Sequence, residues 1–305
     1  MSKYAKILQA RIVYYTCEQD CTSLQSHDGL TVTASPVQQL KSSQEEANTR
    51  IILHCLYTSQ NLSDCITIVV RSPDTDVFVL LLAYFDKMRN NPLLFDTGNG
   101  NNRHLISINC IAPAIGDGVV QVLLGLHAFT GSDCTSAFIR KGKRAPLMLI
   151  CRNSQFLSAF QHLGTNAQFI DSQTQQVLEH SVCALYSIEV YRDTDVVRAD
   201  IFQSRYSVNS LSCGTAIDLS LLQPCHRALT KHILRAKYVT AVWKNSHIPF
   251  YCSPLPAGSG WKLNTSWSVI QLSAENLMNT AKYCTMRGPK AKRLSASGGL
   301  APQTP

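Results

Sequence analysis

Cys65-Ile-Thr-Ile-Val-Val-Arg-Ser-Pro-Asp-Thr-Asp-Val-Phe-Val-Leu-Leu-Leu-Ala-Tyr-Phe85 decides the fold of this chain. Its first part, Cys65 to Val70, is apolar nearly throughout and rich in β-branched residues, which predicts a strand in a sheet covered on both faces. Arg71 to Asp76 breaks the run with a proline and two acids, and Val77 to Phe85 then reads as a buried helix. A strand delivering its chain through an acidic turn into a helix is half of a parallel crossover unit. The neighbouring segments agree. Residues 43–60 read as a helix, with Ile51, Ile52, Cys55 and Leu56 on one face and a Ser43-x-x-Glu46 capping box at its start. Leu93 to Phe95 and His104 to Ile108 read as further strands, and Asp117 to His127 as a helix leading into Gly131-Ser-Asp133. The pattern predicts an α/β fold with a mostly parallel sheet.

Composition narrows the class. The chain has 305 residues, 45% of them hydrophobic, which supports a sizeable core and excludes wholesale disorder. Val77 to Phe85, nine residues, is the longest apolar run and is too short to span a bilayer. Arg11 precedes any apolar stretch of signal-peptide length, so an intracellular protein with no membrane partner is expected. The 12 cysteines include no C-x-x-C pair, and Cys17 and Cys21 alone lie close together. Reduced, mostly structural thiols and no zinc site follow from that spacing. Cys225-His226 has no second pair to complete such a site.

Charge divides the chain. Residues 1–200 carry 16 Lys and Arg against 18 Asp and Glu, whereas residues 201–305 carry 12 against two, Asp218 and Glu275. A net of −2 in front of a net of +10 suggests a polyanionic partner, nucleic acid first, with a solvated basic surface as the alternative. Leu221 to Trp243 reads as a helix entered through Pro224, with Leu229, Ile233 and Ala236 inward. His226, Arg227, Lys231, His232, Arg235, Lys237 and Lys244 occupy the rest of it, a set suited to a phosphate backbone or to an acidic neighbouring surface. Arg140, Lys141, Lys143 and Arg144 form a second basic stretch, either a phosphate grip or a solvated connector. Strands are expected at Val182 to Val190 and Val196 to Ser207, and Trp243, Trp261 and Trp267 as packing residues. From Gly288 the composition is that of a disordered tail, in which Lys290-Ala-Lys-Arg293 resembles a nuclear-import signal.

Glu46, Asp74, Asp76 and Asp133 fall at element ends, where α/β sheets gather their ligands. Carboxylates so placed suit Mg²⁺ or Mn²⁺, and two such ions about 3.5–4 Å apart would support phosphodiester hydrolysis. Each also has a purely structural reading: Glu46 in a capping box, Asp74 or Asp76 as a helix cap behind Pro73, Asp133 closing a turn beside Gly131.

Three stretches occur in order: Ser43-Gln-Glu-Glu-Ala-Asn-Thr-Arg50, Ser72-Pro-Asp-Thr-Asp-Val-Phe-Val-Leu80 and His127-Ala-Phe-Thr-Gly-Ser-Asp-Cys-Thr-Ser-Ala-Phe138. They resemble the internal motifs of the flap endonuclease/XPG-like PIN superfamily. They are most like a group of animal proteins, often associated with mobile elements, that carry E-E-A-D-T-R, D-T-D-V and H-A-F-T-G-C-D. The resemblance implies a three-layer sandwich about a mostly parallel sheet and catalytic metal-ligand roles for Glu46, Asp74, Asp76 and Asp133, and the charge of the back half adds a basic α+β C-terminal region. It also implies nucleic acid, DNA or RNA, as substrate. The organisation expected is a partial N-terminal segment (1–40), a PIN-like domain (41–180), a basic region (181–287) and a tail (288–305).

The departures carry equal weight. Asn48 stands where the family commonly has a second acid, and the family's first strand with its aspartate is missing. Residues 1–40 offer only Glu18, Asp20 and Asp28, in a turn-like stretch. Phe138 to Arg144 replaces a glycine-rich helix–hairpin–helix. Two readings follow: a metal-dependent nuclease, and a catalytically inactive PIN-like scaffold that binds nucleic acid or protein.

Overall fold

A computed structural model describes residues 3–9, 11–61, 66–165, 170–186, 193–206, 221–263 and 270–272. The fold is mixed α/β with small sheets. The chain divides into two compact units, one of residues 1–124 with 240–253, the other of residues 125–239 with 254–305.

The first unit opens with a short helix α1 (Lys3–Leu8) and an antiparallel meander of β1 (Ile12–Cys17), β2 (Asp20–Gln25) and β3 (Thr33–Pro36). These strands occupy a stretch whose sequence reads only as turns. Polar residues alternate there with Tyr14, Cys21 and Leu24, and only one side is covered: Cys21, Val37, Leu40 and Leu53 cluster with Tyr14 and Tyr57. Glu18 sits in the β1–β2 hairpin loop at φ 51°, a left-handed position that favours glycine. Glu18→Gly is therefore expected to raise stability by about 1 kcal/mol, read as a higher unfolding midpoint in a urea titration.

Helix α2 (Ala47–Asn61) starts at Ala47 and buries Ile52, Leu53, Cys55 and Leu56. The Glu46 carbonyl accepts the first bond, from the Arg50 N–H, and Ser43 does not form the expected box. Ser43 N–H bonds the Pro249 carbonyl at 3.0 Å instead, so a distant segment fixes this entry. Strand β4 (Ile68–Arg71) leads into α3 (Thr75–Tyr84), whose Val77, Leu80 and Leu81 are fully buried. β5 (Leu93–Thr97) lies parallel to β4, and β6 (His104–Ser107) is antiparallel to β5. The sheet is thus mixed where a mostly parallel one was expected, because residues 98–103 turn back on themselves, too few for a crossover helix. Along β4, Ile68 and Val70 are buried while Val69 and Arg71 are exposed, so an apolar sequence here marks one covered face and not two. Helix α4 (Ile108–Ile115) packs on β5 and α3, and α2 on α3 and β4.

Helix α5 (Asp117–Thr130) carries the chain into the second unit, which is helical through α6 (Arg144–Cys151), α7 (Ser154–His162), α8 (Ser172–Leu185) and α9 (Thr194–Tyr206). The strands expected over 182–190 and 196–207 are corrected to the end of α8 and to α9; residues 187–192 and 207 lie outside the described residues. The reason is visible in the spacing. Leu178 and Val182, and Val197 and Ile201, are buried pairs four residues apart, and Asp171 and Asp193 cap the helix starts by accepting N–H groups two to three residues on. α10 (His226–Lys244) follows, close to the expected helix, and its last turn belongs to the first unit. β7 (Trp261–Leu263) and β8 (Ile270–Leu272) pair antiparallel. Trp267 and residues 288–305 lie outside the described residues.

Among the described residues no single helix is long and apolar enough to cross a membrane.

Candidate acidic site

The β4–α3 junction is built around Asp74. Ser72 closes the strand, its N–H bonded to the Asp96 carbonyl at 3.1 Å and its hydroxyl accepting from Asp74 N–H at 3.1 Å. Asp74 is then the N-cap of α3: one carboxylate oxygen accepts the Asp76 N–H at 2.9 Å. The other oxygen accepts from the Asn48 side-chain amide at 3.0 Å. Asn48 lies in the first turn of α2, so the N-termini of two helices meet at this carboxylate. Their orphan N–H groups and dipoles supply positive potential there. Asp76, in the first turn of α3, is buried.

Glu46 stands immediately before α2 with its carboxylate turned to Trp243, whose indole N–H lies 3.3 and 3.2 Å from the two oxygens. The loop that carries Glu46 is tied down on both sides. Arg50 donates to the carbonyls of Gln44 and Ser42 at 2.6 and 2.9 Å. The Gln44 amide donates to Ser246 and Ile248, and the Ser42 hydroxyl to Pro249. The segment after α10 therefore positions the acid as much as α2 does.

A further carboxylate, Asp96, closes β5 beside Arg71 and went unnoticed in the sequence. Arg103 grips it with two bonds of 2.8 and 2.7 Å, and Arg71 adds a third at 3.0 Å. The Arg103 bonds first, then those of Arg71, hold its carboxyl below the usual range. The register pairing Arg71 with Asp96 across the parallel strands was the missing information.

Asp133 belongs to the second unit, whereas Glu46, Asp74 and Asp76 belong to the first. It is exposed in a turn closed by reciprocal Ser132 and Thr135 bonds, with Gly131 at φ +117°. Among the described residues no three His, Cys, Asp or Glu side chains are grouped as a metal ion requires.

The basic residues expected at a nucleic-acid surface divide into two groups. Lys143 donates to the carbonyls of His127 and Gly131, so it neutralises the C-terminus of α5. Lys141 donates to the Leu185 carbonyl at 2.9 Å and lies 4.7 Å from the centre of the Tyr186 ring. On α10, Arg235 and Lys237 are buried, and Arg235 is bonded to the Gly260 carbonyl. Burial pushes the Lys237 ammonium below its ordinary range. Arg140, Arg144 and Arg227 are exposed, and Lys231 is half-buried. Helix α10 is therefore largely a core element, and its lack of acids reflects burial by carbonyls and rings more than a surface held ready for phosphates.

No family model matches this chain, and neither a curated protein nor a solved structure does.

Proposed function

We propose that the chain is a PIN-like α/β protein in which the acidic site has become a structural node, leaving a catalytically silent binding scaffold. The single observation that carries this reading is the 3.0 Å bond from the Asn48 amide to Asp74. A pair of carboxylates at these positions would repel and need a cation between them. An amide facing a carboxylate supplies a donor of its own, so the pair is satisfied as it stands. Two other features support it: Asp74 is engaged as a helix cap, and β5 is the only described strand paired with β4, so no aspartate-bearing strand lies on its other side among the described residues.

The second reading, hydrolysis of nucleic acid with Mg²⁺ or Mn²⁺, is favoured by Glu46, Asp74 and Asp76 opening neighbouring helices of one unit. Cleavage of labelled single-stranded, duplex and flap DNA and RNA with Mn²⁺ separates the two. Wild type is expected to match the Asp74→Ala background; cleavage that disappears in Asp74→Ala would overturn the scaffold reading. Asn48→Asp is expected to lose about 1–2 kcal/mol of stability without metal, through loss of the donor and like-charge repulsion, and to regain it on titration with Mn²⁺.

A further inference from the structure

Among the described residues strand β4 lies at the edge of its sheet. Ile68 N–H bonds Pro92 and Ser72 N–H bonds Asp96, so alternate residues of the strand, Ile68, Val70 and Ser72, direct their backbone groups at β5. Thr67, Val69 and Arg71 direct theirs the other way, and no backbone bond reaches these groups among the described residues. This row of donors and acceptors borders a groove of about 1070 Å³ whose other walls are α2 and β1.

Its lining is specific in character. Val69, 53% exposed, and Ile51 supply apolar surface. Arg50 is engaged by two carbonyls and Arg71 by Asp96. His54 is bonded to the Thr16 hydroxyl at 3.0 Å, and burial, aided by Arg50, disfavours its protonation. Glu18 and Glu45, by contrast, are exposed carboxylates with no ion pair among the described residues. Glu18 and Glu45 thus have no ion-pair partner, and the strand edge no backbone partner, among the described residues, while Arg50, held by carbonyls alone, keeps its positive charge in the same lining.

We propose that this groove takes up an extended, basic segment of a partner polypeptide, which adds to the sheet beside β4 as a further strand. β4 spans four residues, so at about 3.3 Å per residue the strand added along it has about four. Main-chain bonds to Thr67, Val69 and Arg71 would hold it, an apolar side chain would cover Val69 and Ile51, and lysine or arginine would answer Glu18 and Glu45. A second copy of this chain is a poorer occupant, since its own β4 is walled by the same helix and strand. The inference rests on the sheet edge and holds whether or not the acidic site binds metal.

The test is selection of random heptapeptides by display on the full chain, followed by fluorescence polarisation of the enriched peptides. Sequences alternating apolar residues with Lys or Arg are expected. Val69→Pro removes one outward N–H and leaves the β4–β5 ladder in place, and is expected to weaken binding at least tenfold. N-methylation of alternate peptide amides is expected to do the same without altering the protein. Glu18→Lys combined with Glu45→Lys is expected to shift the selected peptides from basic to acidic. Failure to enrich any peptide, or equal binding by wild type and Val69→Pro and by methylated and unmethylated peptides, would overturn the proposal. So would a concentration-dependent dimer abolished by Val69→Pro, which assigns the edge to a second copy.

Discussion

Replacing Trp243 by alanine is expected to cost about 3–5 kcal/mol, the usual range for deleting a buried aromatic side chain. Trp243 is among the largest fully buried side chains, and its indole N–H is the donor facing both oxygens of Glu46. The alanine variant loses the packing and leaves a half-buried carboxylate without that donor. Trp243→Phe separates the two effects, because it keeps most of the volume and removes only the N–H. A hydrogen bond to a charged group is worth about 1.5–3 kcal/mol, so the phenylalanine variant is expected to recover roughly half of the loss. Urea unfolding followed by circular dichroism measures both. The phenylalanine variant also takes the indole donor away from Glu46. If Mn²⁺ stabilises it while leaving wild type unchanged, the tryptophan has been holding a ligand away from metal; if Mn²⁺ stabilises both, the scaffold reading fails.

Stability is expected to fall steeply in mild acid because of His232. Its ring lies among Phe129 and Phe138, with centroids 5.1 and 5.3 Å away, and Nε2 donates to the Phe129 carbonyl at 2.7 Å. Nδ1 is buried with no bonding partner. Burial, assisted by the charge of Arg235, pushes the pKa down to about 4 against the pull of the Phe129 bond. The folded protein therefore holds a neutral ring while the unfolded chain protonates near pH 6.5. Between those values the unfolded state binds more protons, so stability rises with pH. It is complete above about pH 6.5, and about 3 kcal/mol is lost as pH falls to about 4. His232→Gln can still donate to Phe129 but does not titrate. Urea midpoints at pH 7 and pH 4.5 are expected to converge between wild type and variant, since carboxylates elsewhere act on both alike. Parallel loss in the two proteins would show that His232 is not the cause.

How far the sequence revealed this molecule depended on whether the informative residues were neighbours along the chain. The β4–Asp74–α3 stretch is such a case, since strand, cap and buried helix follow one another within 20 residues of readable pattern. Helix α10 was equally legible in extent. Its chemistry was not, because Arg235 is satisfied by Gly260, a partner that periodicity cannot indicate. The N-terminal meander was missed because its strands are half-exposed and polar, and only pairing makes them strands. The misread strands of 182–207 are rich in β-branched residues, a preference that the four-residue spacing of Val197 and Ile201 and the Asp193 cap override. At the acidic site, Asp74 and its cap were visible, and Asn48 stood out as a neutral substitute. The Trp243–Glu46 contact spans 197 positions and leaves no local trace.

That the first unit is made of residues 1–124 and 240–253 has a consequence for synthesis. Tyr84 sends its hydroxyl to the Trp243 and Lys244 carbonyls, and Ser42 to Pro249, so sites made early are completed by residues made much later. A ribosome adds about 5–20 residues each second. After residue 124 leaves the tunnel, roughly 6–25 seconds pass before residue 253 does, and the whole of the intervening segment emerges in that time. During that wait the strand edge of β4 and the vacant seat of Trp243 are open on an incomplete domain. The nascent chain therefore has a long interval in which a chaperone can bind, and translation speed across residues 125–239 becomes a determinant of its yield.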